Sequence, residues 1–115
     1  MSKESIEYLK HIKDECSYIL SVSGAELTWD LFLKDETLKR AVVRSLEIIG
    51  EASKKISAEH KVKWSSIRWK NMAGMRDRLI HDYMGINYSI VWDVMKNKIP
   101  ELDEQISKVL ENELQ

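Results

Sequence analysis

The sequence predicts an all-α protein, a mostly antiparallel bundle of four to five helices forming one domain over residues 1–115. Three observations carry this. Apolar residues recur at helical spacing through most of the chain, and strand-like alternation is scarce. Helix breakers are few, with four Gly and one Pro, so connections between elements should be short. A length of 115 residues suits one core, and 43% hydrophobic with 32% charged residues is the balance of a globule rather than of a disordered chain.

The first helix is expected from about Ser2 to Val22, with Ile6, Leu9, Ile12, Cys16, Ile19 and Leu20 as its apolar stripe. SVSGAELT then reads as a connector. Asp35 can cap a second helix that runs to about Ile56 through Leu38, Ala41, Val42, Ile49 and Ala52. HKVKWSSIRWK interrupts the pattern and leads into a third helix from about Ser66 to Met84. Gly85 follows as a left-handed residue just past its end. Asn87 can cap a fourth helix carrying Ile90, Val91, Val94 and Met95. Pro100 either kinks that helix or separates it from a last one with Leu102, Ile106, Val109 and Leu110. Trp29, Trp64, Trp69 and Trp92 are expected mainly in the core, with one or two available to a subunit interface.

Composition narrows the function. The 18 Lys and Arg against 19 Asp and Glu leave a net charge of −1, so any contact with RNA must rest on local clustering. Cys16 is the sole cysteine, which rules out an intrachain disulfide and a Cys-rich zinc site. His11 and His60 lie in separate segments, and no metal and no cofactor is assigned. No signal-peptide pattern opens the chain, and uncharged runs such as CSYILSVSGA are about half the ~20 residues a membrane helix needs. The expected location is cytoplasmic.

The densest chemistry lies in RDRLIHDY, residues 76–83. Arg76, Asp77, Arg78, His81, Asp82 and Tyr83 surround only two apolar residues. Near a helix end, His81 would feel the negative end of the helix dipole and Asp77 one turn earlier, both favouring imidazolium. A histidine titrating near neutrality serves as a general acid or base, and the Arg76 guanidinium suits a phosphate or its phosphorane-like transition state. The competing reading is a solvated helix face with Asp77–His81 and Arg78–Asp82 as i, i+4 ion pairs. On one straight helix Arg76 and His81 diverge by about 140°, so a catalytic reading favours a homodimer with a shared cleft. Glu47 and Glu51 on the second helix, with Arg40 and Arg44 before them, read either as a structural ion-pair row or as acidic support facing Arg76.

Arg76, four residues, His81, one residue and Tyr83 reproduce R-x4-H-x-Y. This motif, with AVVRSLEIIGEASKKIS before it, WSSIRWKNMAGMRDRLIHDY around it and YSIVW after it, resembles the HepT-type toxins of the HEPN superfamily over roughly residues 5–110. The resemblance implies a dimeric five-helix bundle whose two motifs line one cleft. It implies a metal-independent RNase toxin of an MntA/HepT-like, type VII-like toxin–antitoxin pair. By position, Arg76 and His81 would be the catalytic pair and Asp77 the polar residue that follows the motif arginine. Tyr83 would be the tyrosine AMPylated by an MntA-type nucleotidyltransferase antitoxin. The alternative is a non-catalytic helical module that binds a nucleotide or a nucleotidyltransferase.

Overall fold

Leu9, Ile12, Cys16 and Ile19 recur three and four residues apart, and each is at most 1% exposed. They form the inner stripe of helix α1 (Ser2–Val22), in a computed structural model that describes residues 2–81 and 85–115. The same periodicity buries Val42, Val43, Leu46, Ile49 and Ala52 of α3 (Glu36–Lys55). It also buries Ile99, Leu102, Ile106 and Val109 of α8 (Ile99–Glu113). Helix α1 packs on both α3 and α8, and the three stripes meet in one continuous core. The all-α class holds. Among the described residues no helix is long and apolar enough to cross a membrane.

Side-chain caps fix where these elements start. The Asp35 carboxylate accepts from the Leu38 amide at 2.9 Å and opens α3, as its position before the apolar stripe predicts. Two short helices lie where the sequence predicts no helix. Thr28 caps α2 (Trp29–Lys34), and Ser57 caps α4 (Ala58–Lys63). Each has six residues, too few to show a clear stripe, and each is held by one buried side chain, Phe32 and His60. Trp64 and Trp69 are buried, whereas Trp29 is 36% exposed against Phe32 and Trp92.

The third helix departs most from expectation. It is divided into α5 (Trp69–Ala73) and α6 (Met75–Leu79), and it stops at Leu79. Ile80–His81 (β1) pairs antiparallel with Gly85–Ile86 (β2), matching Ile80 to Ile86 and His81 to Gly85. Gly85 is therefore a strand residue at φ +115°, a left-handed conformation that suits glycine, and not a helix terminator. The Leu79 carbonyl accepts from the Asn87 amide at 2.8 Å, a partner that a continued helix does not supply.

Asn87 does cap the next helix. Its side-chain oxygen accepts from Ser89 and Ile90 at the start of α7 (Tyr88–Asp93). A π-helical turn, Val94–Lys98, then joins α7 to α8 with the Ile99 amide reaching back to the Val94 carbonyl. Pro100 sits in the first turn of α8, where its missing N–H leaves no broken bond in the helix interior. Both expected roles of Pro100 are thus merged into one irregular turn.

Candidate active site

Met75 and Leu79, four residues apart, are 1% and 0% exposed and pin α6 to the core. That leaves Arg76, Asp77 and Arg78 all on the exposed side. Helix α3 comes close enough to reach them because residue 50 is glycine. A Cβ there would lie 3.3 Å from the Met72 carbonyl oxygen and 3.9 Å from the Met75 Cβ. Glu47 stands three residues before Gly50 on α3 and meets Arg76, with Nε and Oε2 3.6 Å apart. A lone glycine inside a helical pattern is the sequence signal of such an approach.

The pair is asymmetric. Glu47 is 24% exposed and Arg76 57%, so the carboxylate is backed by protein while the guanidinium faces outward. One edge of the fork is oriented by Glu47 and its other donors remain available to an anion. Of the two readings of the acidic residues on α3, the structure has Glu47 facing Arg76. Glu51 pairs instead with Lys54 at 3.7 Å, and among the described residues neither Arg40 nor Arg44 joins an ion-pair row.

His81 lies two positions beyond the end of α6, in β1. The i, i+4 relation of Asp77 to His81 presumed a helix through both, and that helix ends at Leu79. The same correction removes the about 140° divergence of Arg76 and His81, which held only for one straight helix. It also removes the terminal-turn argument for imidazolium, because the dipole's field fades within the last turn. The hairpin replaces these with a frame tied at both ends. Leu79 is buried at the end of α6, and Asn87 both closes the hairpin and caps α7. Asp82 and Tyr83 lie outside the described residues. Among the described residues no group of three or more His, Cys, Asp or Glu side chains could hold a metal ion.

Cys16 offers no alternative nucleophile. It is fully buried, and burial first, then the nearby Asp103 carboxylate, pushes its thiol up to about 12. His60 is also buried, with Nδ1 2.6 Å from the Ser57 hydroxyl and its ring 4.8 Å from that of Trp64. It packs inside α4 and holds the Ser57 cap.

An exposed arginine steered by a half-buried carboxylate, beside a histidine-bearing hairpin, is an arrangement suited to phosphate chemistry. The chain belongs to the Ribonuclease HepT-like family, whose model matches residues 4–109. A provisionally named RNase of Caldanaerobacter subterraneus subsp. tengcongensis is 48% identical over 92% of this chain and 94% of its own. Another provisionally named RNase, from Methanocaldococcus jannaschii, is 45% identical over 76% of this chain and 72% of its own. A probable ribonuclease HepT of Thermococcus cleftensis is 38% identical over 95% of this chain and 98% of its own. No solved structure matches the chain.

Proposed function

We propose that this ribonuclease is a metal-independent endoribonuclease toxin, with Arg76 and His81 as its catalytic residues and Tyr83 as the site of its control. The observation that carries the reading is the Glu47–Arg76 pair, which aims an exposed guanidinium from the segment that also holds His81. RNA supplies its own nucleophile. Its 2′-oxygen attacks the adjacent phosphorus, the bond to the 5′-oxygen breaks, and a 2′,3′-cyclic phosphate and a 5′-hydroxyl result. His81 moves the proton, and Arg76 neutralises the extra charge of the phosphorane. Asp77, next to Arg76 on the exposed side of α6, supports the charge balance of the site.

The partner is an MntA-type nucleotidyltransferase. The Tyr83 phenol oxygen attacks the α-phosphate of ATP, pyrophosphate leaves, and the phenolic proton passes to solvent or base. The AMP then carries a phosphate charge within the R-x4-H-x-Y segment, where it competes with RNA for Arg76 and repels the RNA backbone. Two copies of the chain form a homodimer whose motifs share one cleft.

Intact-mass spectrometry with peptide mapping tests the switch. With the cognate nucleotidyltransferase, ATP and Mg²⁺, the mass should rise by whole AMP units on Tyr83, and RNA cleavage should stop. Tyr83→Phe should gain no AMP and keep its own basal rate in the same mixture. AMP on another residue, or silencing of Tyr83→Phe without stoichiometric partner binding, refutes the tyrosine switch.

A further inference from the structure

Two residues along α6 from Arg76, Arg78 turns to a different neighbourhood, as a rotation of about 200° requires. It lines a recess of about 190 Å³ between α5–α6 and the π turn with the start of α8. Met72, Met75, Val94 and Leu102 make an apolar floor, all of them buried. Arg68, Arg78 and Lys98 stand around it and are exposed, against a single carboxylate, Glu101. Among the described residues none of these three cations forms an ion pair, whereas Lys13, Lys39, Lys63 and Arg76 all do. Gln105 fixes one wall by donating to the Ser66 carbonyl at 3.0 Å.

In a chain of net charge −1, three cations against one carboxylate over an apolar floor form a local basic excess. The combination fits an anion with an apolar ring. Phosphate oxygens suit the arginine and lysine rim, and a nucleobase suits the thioethers of Met72 and Met75. The volume lies below the ~300 Å³ at which pockets for drug-sized ligands begin, which limits the occupant to about one nucleotide.

We infer that this recess holds a nucleotide of the RNA strand away from the scissile phosphate, as a second anchor on the opposite side of α6 from the Glu47–Arg76 pair. The inference rests on the RNA-cleaving reading, so binding is measured apart from cleavage. A fluorescent single-stranded RNA of a dozen nucleotides is titrated into His81→Ala protein, with and without Arg68→Glu and Lys98→Glu. The paired charge reversal should weaken binding about tenfold or more and flatten its salt dependence. In the otherwise wild-type chain it should raise KM for that RNA while leaving cleavage of a dinucleotide unchanged. The variant Arg68→Gln with Lys98→Gln, which adds no negative charge, should show the same pattern more weakly. Unchanged RNA affinity in both pairs of variants, with matched circular dichroism, overturns the inference. So does a recess that takes free AMP by calorimetry while RNA affinity ignores the rim, since the ligand is then a free nucleotide. RNA binding that depends on the rim, in a protein that cuts nothing, would uphold the recess and refute the nuclease mechanism instead.

Discussion

At Arg76 the 3.6 Å contact with Glu47 is loose and the arginine more than half exposed, so it adds at most about 1 kcal/mol to stability. Its consequence is orientation. Glu47→Gln preserves shape and removes charge, and we expect kcat on RNA to fall about tenfold with stability nearly unchanged. Because a negative charge leaves the site, KM should stay level or fall, a split that a merely structural role would not produce. A kcat equal to wild type would show that Glu47 does not position Arg76. Cys16 gives a second residue-scale expectation. Its thiol, pushed up to about 12, should react with a thiol reagent at pH 8 only as fast as the protein opens. Labelling at the rate of a free cysteine would contradict the packing of α1.

Among the elements, α3 is the one whose placement matters most to the site, and Gly50 sets that placement. Gly50→Ala gains about 1 kcal/mol of helix propensity but crowds the Met72 carbonyl at 3.3 Å, an overpacking cost of about 1–3 kcal/mol. The expected net is a stability loss of about 0–2 kcal/mol with a larger fall in activity, as Glu47 moves off Arg76. Calorimetry beside a cleavage assay checks this, and full activity in the variant would contradict it. Glu113 of α8 accepts from the Trp64 indole at 3.2 Å and pairs with Lys63 at 3.0 Å. Those bonds, Lys63 first and then Trp64, hold its carboxyl below the usual 4.5. A lowered carboxyl stabilises fully above 4.5 and loses that contribution as pH falls below it. The Trp64 indole N–H resonance should therefore shift below pH 4.5; a midpoint above that value would contradict the clasp.

The whole molecule was legible where burial dominates and less so where tertiary contacts override local pattern. The stripes of α1, α3 and α8 are long enough for periodicity to mark them, and Asp35 and Asn87 cap as their positions suggest. The hairpin was not legible. RDRLIHDYM has no local helix breaker, so only the distant bond from Asn87 to Leu79 and the left-handed Gly85 distinguish a hairpin from one more turn of helix. Motif residues could be named from spacing, whereas the Glu47 contact needed the approach of α3 at Gly50. A homodimer with a shared cleft makes its own expectation: light scattering should give twice the 13.5 kDa chain mass. A monomer cutting RNA at the full rate would contradict it.

RNA cleavage without metal should depend on both Arg76 and His81. Its most direct measurement incubates single-stranded RNA with pure wild-type, Arg76→Ala and His81→Ala protein in excess EDTA, with circular dichroism matched. The wild type should cut and leave 2′,3′-cyclic phosphate ends, and each variant should be slower by about 10²–10⁴. No cleavage by the wild type, or an unchanged rate in either variant, would contradict it.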